Sequence, residues 1–202
     1  MSDLAMDACC LINLRAAGRI LIPGSPPEAV VPSKKVRGAA SPAGIHPLDL
    51  TLHVPDNVLR EALRLDQPDP EDPAKIVSVP LDSDSLIKQG LLQACKLESD
   101  EERERFVQFA TELDDGEAAC LAIAVERGWV LGSDDRIAAR IAQSVGVSVM
   151  TTEHLVKRWT DLTNASPAEI GEVLRNIQTF GHYTPRRVSP LREWWLGHAR
   201  ES

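Results

Sequence analysis

No apolar run in this sequence approaches the length needed to cross a bilayer. Its first residues, MSDLAMDACC, lack the basic stretch and long apolar segment of a signal peptide. A soluble, cytoplasmic chain with no membrane partner is the expectation. Paired-cysteine motifs are missing as well. The four cysteines, Cys9, Cys10, Cys95 and Cys120, form no C-x-x-C, and no histidine stands at zinc-ligand spacing from them. Buried free thiols are the simplest reading. The histidines themselves, His46, His53, His154, His182 and His198, show no metal spacing. Nor is there an excess of basic residues: the net charge of −8 argues against a broad cationic groove for nucleic acid, whose affinity is dominated by phosphate contacts. It leaves room for an enzyme that holds phosphates through cations bound to its own acids.

What is present is a chain of 202 residues, 43% apolar, long enough to bury the core of one ordinary domain with appendages. Strand and helix signals alternate. Residues 4–6 are a short apolar run ending in Asp7, and 8–17 (ACCLINLRAA) has helical spacing with Gly18 as a stop. Residues 23–47 carry Pro at 23, 26, 27, 32, 42 and 47, which reads as an irregular insertion. A strand is expected at 51–54, then a helix opened by Pro55 (PDNVLREALRL) with Glu61 inside it, an acidic loop at 66–73 and a strand at 75–79.

Helices at 83–96 and 100–113 should follow as an antiparallel pair, the second with Ser99 and Glu102 at capping-box spacing. GEAACLAIAVERG is apolar on all sides over 118–125, so it is a buried helix. A strand at 129–131, a helix at 135–145, a strand at 147–150 and helices at 153–160 and 167–178 complete the order. Alternation of this kind predicts an α/β fold, three layers (α/β/α) around a mainly parallel sheet. We divide the chain into a domain at 1–163, containing the 23–47 insertion, and a helical C-terminal extension at 164–202.

In an open parallel sheet ligands bind beyond the carboxyl ends of the strands. Asp7 follows the first strand, and Asp134 and Asp135 follow 129–131, with Gly132 and Ser133 making the turn. Glu117, in the first turn of the buried helix, and Glu61 could reach the same edge. Each has a plain structural reading when taken alone. Asp134 would be a helix N-cap with Asp135 favoured by the helix dipole, Asp7 a cap, Glu117 a first-turn glutamate and Glu61 a surface one. Taken together they pose an electrostatic problem. Two carboxylates about 4 Å apart repel by about 4 kcal/mol at an effective dielectric near 20. Few basic residues are at hand, chiefly Arg60 and Arg136, so hard divalent cations with oxygen ligands, Mg²⁺ or Mn²⁺, fit best. Such ions activate water and stabilise the attacking and leaving oxygens of a phosphodiester, which points to nucleic-acid hydrolysis.

The segments LAMDACCLINL, LHVPDNVLREAL, GEAACLAIAVERG and WVLGSDDRIAARIAQSVGVSVM, in that order, resemble a PIN domain, the metal-dependent ribonuclease fold of VapC-type toxins. The resemblance covers most of residues 1–163 outside the insertion. It implies metal-binding and catalytic acids at Asp7, Glu61, Glu117 and Asp135, with Asp134 as neighbour or substitute in the metal set. It also implies a Mg²⁺ or Mn²⁺ cofactor and RNA as substrate. Ser133 matches a supporting hydroxyl that holds a carboxylate or water. The Glu of GEA and the helical tail are similar to one subgroup of these proteins. Many relatives have Ser, Thr or Asn where Cys9 stands, and Asn13, one helical turn on, is the residue that could compensate.

The function so implied is a Mg/Mn-dependent endoribonuclease, the toxin of a type II toxin–antitoxin pair, with a small antitoxin protein and a homodimer as expected partners. The alternative is a catalytically silent PIN scaffold that acts as a protein or RNA interaction module. Lys34, Lys35 and Arg37 in the insertion are read as solubilising residues, with RNA phosphates as the second option. Trp194 and Trp195 are expected to dock back on the domain.

Overall fold

The computed structural model describes residues 2–21 and 48–200. The proline-rich insertion at 23–47, with Lys34, Lys35, Arg37 and His46, lies outside the described residues.

Five strands make the main sheet: β1 (Ser2–Met6), β2 (Leu50–Pro55), β5 (Gln93–Cys95), β6 (Val130–Gly132) and β7 (Val149–Met150). Their order is β5-β2-β1-β6-β7, and every neighbouring pair runs parallel. Because β1 is central and covered on both faces, Leu4, Ala5 and Met6 are fully buried, as the unbroken apolar run requires. Helix α5 (Asp115–Arg127) packs on β1, β2 and β6, beside α4 (Asp100–Phe109) and α6 (Arg136–Ser144). Its residues from Ala118 through Ala124 are all buried, and the alanines let its axis lie close to the sheet. Helix α1 (Ala8–Ala16) packs with α7 (Thr152–Thr163) and α8 (Pro167–Phe180). The fold is therefore the expected one, an α/β sheet flanked by helices with further helices at the C-terminal end.

Several elements end where the sequence marks them. Ser99 and Glu102 form the expected capping box on α4, and Ser166 and Glu169 form another on α8 with Pro167 at its start. The last helix, α9 (Arg192–Arg200), packs on α8 and buries Trp195 completely. Trp194 is partly buried, with His198 beside its ring and the Lys157 ammonium 5.8 Å from the ring centre. Among the described residues no helix is long and apolar enough to cross a membrane.

Two expectations are corrected. The helix opened by Pro55 is only one turn, α2 (Asp56–Leu59). The chain then enters a two-stranded antiparallel hairpin of β3 (Arg64–Pro68) and β4 (Ile76–Pro80), separate from the main sheet. Pairing with β4 supplies ladder bonds to β3 and buries Leu65, a tertiary gain that helix propensity does not register. The helix expected over 83–96 is α3 (Ser83–Lys88) alone. Gly90, at φ 72°, breaks it, and the residues that follow join the open edge of β2 as β5. Consequently α4 takes α5 as its main neighbour and does not pair with a long preceding helix.

Candidate active site

Strands β1 and β6 lie side by side with Met6 opposite Gly132, and the Asp7 N–H donates to the Gly132 carbonyl at 3.0 Å. A side chain at Gly132 would collide with the tip of the buried Leu4 side chain, so glycine there leaves room for Leu4. The chain thus leaves both strands at one edge, delivering Asp7 from β1 and Ser133, Asp134 and Asp135 from β6.

Asp7 is 2% exposed. Its Oδ1 accepts the Cys10 N–H at 2.9 Å and caps α1, while Oδ2 is buried without a hydrogen-bond partner. Burial, with the Asp134 charge adding to it, pushes the Asp7 pKa up to about 7. The nearby Ser133 hydroxyl and the Cys10 N–H pull the other way without cancelling the shift. Ser133 is itself fully buried, and its Oγ accepts the Asp135 N–H at 3.1 Å.

Glu117 lies in the first turn of α5, where Asp114 caps the helix by accepting the Glu117 N–H at 2.8 Å. Burial, followed by the charges of Asp114, Asp135 and Asp7, raises its pKa to about 7. Glu117 thus feels acids from both strand ends. Glu61 differs from expectation. It sits beyond the one-turn α2, is exposed, and places its Oε1 against Gly116 at the start of α5. Its pKa is raised by burial and then by Asp114 and Asp115. The helix expected to carry Glu61 is corrected: it ends at Leu59.

The helix cap expected on Asp134 falls on its neighbour in WVLGSDDR. Asp135 is the N-cap of α6, its Oδ1 accepting the N–H groups of Ile137 and Ala138. Asp134 reaches across to the start of α7. Its Oδ1 accepts the Thr152 N–H at 2.8 Å, and its Oδ2 accepts from Asn13 Nδ2 at 3.0 Å, Thr152 Oγ1 at 2.5 Å and the Cys10 thiol at 3.6 Å. Burial raises the Asp134 pKa, and the Thr152 and Asn13 hydrogen bonds offset part of that. Each acid of the pair thus satisfies the N-terminus of a different helix. Asn13, 3% exposed, also donates to Thr152 Oγ1 and acts as a strut behind the turn.

Three residues escaped the sequence reading. Thr152 follows a strand and opens a helix, a signal that was legible, but its bond to Asp134 joins residues 18 apart in the chain. Asp114, three residues before Glu117, carries an ordinary capping pattern. Arg186, whose Nη2 donates to the Asp134 carbonyl at 2.8 Å, had no local signal. Cys9 stands at the rim. Partial burial and then the charges of Asp7, Asp134, Glu117 and Asp114 raise its thiol pKa to about 12, so it stays protonated.

Among the described residues, no group of three or more His, Cys, Asp or Glu side chains is set closely enough to hold a metal ion as it stands. Even so, the donor chemistry suits a hard cation. Asp7 Oδ2 is buried and unpartnered, and Asp7 and Glu117 repel one another in a cleft where their charges are poorly solvated.

An open parallel α/β sheet binds its ligands beyond the carboxyl ends of its strands, and here that edge carries the carboxylates that follow β1 and β6. A family profile described as a PIN domain matches residues 45–190, and the chain belongs to the PIN-domain family. PIN domains are generally nucleases. The matched span contains Glu61, Glu117, Ser133, Asp134 and Asp135, while Asp7 and Asn13 precede it. No curated protein matches the chain.

Proposed function

We propose that this protein is a Mg²⁺- or Mn²⁺-dependent endoribonuclease. The observation that carries the reading is Asp7: a carboxylate 2% exposed, with one oxygen capping a helix and the other left without a partner, facing acids from β6 and α5. Such an arrangement costs stability, and a divalent cation offsets that cost.

Asp7, Glu117 and Asp135 are the residues that would hold the ion. Asp135 uses one oxygen as a helix cap, and Glu61 approaches from the α5 side. Asp134 is placed differently: both its oxygens already accept hydrogen bonds, so its role is to fix the turn that presents Ser133 and Asp135. When bound, the ion supplies an activated water and charge stabilisation at the scissile phosphate. The protein's own residues orient it. Cap bonds lock Asp7 and Asp135, the Asp114 cap sets the first turn carrying Glu117, and the buried Ser133 holds the Asp135 amide.

The test uses purified full-length chain, labelled single-stranded and hairpin RNAs, and Mg²⁺ or Mn²⁺, beside Glu117→Gln. Internal cleavage that needs the ion and is lost in the variant is expected. Equal cleavage by both proteins, or none by either across varied RNAs, overturns the reading. A toxin role within a type II pair is the finer proposal, supported by the resemblance of GEAACLAIAVERG and the helical tail to one PIN subgroup. Growth arrest on expression, relieved by a small DNA-binding protein encoded next to this one, is its expected sign. A silent scaffold is the second reading, favoured by Cys9 at the cleft rim and by acids not already set as a coordination group. Absence of Mn²⁺ binding would support it.

A further inference from the structure

A cleft built from carboxylates repels the polyanion it is meant to cut, and the net charge of −8 makes the whole surface unfavourable for RNA. Cations placed at the rim therefore matter more here than in a basic protein. Several arginines in the described structure are engaged with acids: Arg19 with Glu169 and Glu172, Arg103 with Asp100, Arg105 with Glu126, Arg140 with Glu112. Three around the Asp134–Asp135 turn are not. Arg136 directly follows Asp135, is exposed, and makes no hydrogen bond or ion pair with another described residue. Arg187 is in the same condition on the C-terminal extension.

Arg186 is exposed too, and a single hydrogen bond to the Asp134 carbonyl pins its guanidinium to the turn. A guanidinium has five donors in a planar fork, so one such bond orients the group and leaves donors free for phosphate oxygens. Beside Arg187 the surface forms a hollow of about 510 Å³, lined also by Ser189, Pro190, Arg192, Glu193 and Leu196.

We propose that Arg136, Arg186 and Arg187 form a phosphate-gripping rim that holds single-stranded RNA against the acid cleft, with the C-terminal extension supplying two of the three contacts. This rests on the ribonuclease reading for its purpose, but it is tested by binding and not by cleavage. Fluorescence anisotropy of labelled single-stranded RNAs of different sequence is measured over a range of salt in the Glu117→Gln background, where no cutting confuses the signal. Each Arg→Ala change is expected to weaken binding equally across sequences and to reduce the slope of log affinity against log salt by about 0.7, the value for one phosphate contact on a single strand. Arg186→Lys retains most of the slope, and Lys88→Ala, on α3, leaves it unchanged. Thermal unfolding confirms that the variants are folded; Arg136 and Arg187, which hold nothing in place, are the decisive two. Unchanged affinity and slope in the Arg136→Ala, Arg187→Ala double variant, or no RNA binding by the background protein, overturns the rim. If the arginines govern binding while the protein with Glu117 intact cuts no RNA, the rim stands and the nuclease reading falls.

Discussion

Two buried carboxylates in this molecule are treated in opposite ways. Glu102, on α4, is 3% exposed, and burial alone would raise its pKa. Arg127 Nε donates to it at 2.6 Å, Arg127 Nη2 at 3.2 Å, and the N–H groups of Glu98 and Ser99 complete the set, so its pKa is held below the ordinary glutamate value. Asp7, 2% exposed, has the Cys10 N–H and the nearby Ser133 hydroxyl but no cation, and its pKa rises to about 7. The first arrangement ties α4 to the end of α5. The second leaves an unfavourable charge standing, the kind of arrangement that clusters at functional sites.

The largest expected effect that separates the two regions is on cleavage. Asp7→Asn keeps the α1 cap, because asparagine caps as well as aspartate, but removes the charge. RNA cleavage should fall by more than the roughly 100-fold that loss of an outer-shell residue costs, with no loss of melting temperature. Arg127→Met, at the other region, should leave cleavage unchanged and destabilise the fold by about 3 kcal/mol in denaturant unfolding, because Glu102 is left buried without its cation.

The pH dependence should differ in sign. Asp7 and Glu117 have folded pKa values near 7, well above their ordinary values of 3.8 and 4.5, so the folded state binds their protons more tightly. Metal-free protein should therefore lose stability as the pH rises from about 4 to about 7, and saturating Mn²⁺ should flatten that fall. Glu102 has a lowered pKa, so its contribution is present above the ordinary glutamate value and lost on acidification below it. Arg127→Met should remove only this acid limb of the stability profile. The smallest effect is expected from Thr152→Ala. It takes one hydrogen bond from Asp134 while Asn13 and the residue 152 N–H remain, at a cost of about 1 kcal/mol with a modest loss of cleavage.

The sequence carried the sheet's interior and both strand-end acids, because these follow from local patterns: an apolar run, a turn residue, a cap. β1, α5 and the β6–α6 turn were legible on that basis. β5 was not, since LLQAC has no period that separates a strand from a helix and only the free edge of β2 decides it. The hairpin of β3 and β4 was half legible, as one strand and an acidic loop, because a strand has no partner in a one-dimensional reading. Asp134 and Asp135 show the same limit at a finer scale. Their presence at the cleft was readable, but which one caps α6 depends on Thr152 arriving from α7, a contact no local rule contains. The helix expected around Glu61 was not legible as a single turn: α2 stops at Leu59, and the side chain lies against Gly116 at the start of α5.

The unpartnered Asp7 oxygen is proposed to mark a cation site. Calorimetric titration of Mn²⁺ at pH 8, above both raised pKa values, tests it most directly in the wild type and in Asp7→Asn. Saturable binding in the wild type that is lost in the variant is the predicted result. No binding by either protein, or equal binding by both, would contradict it.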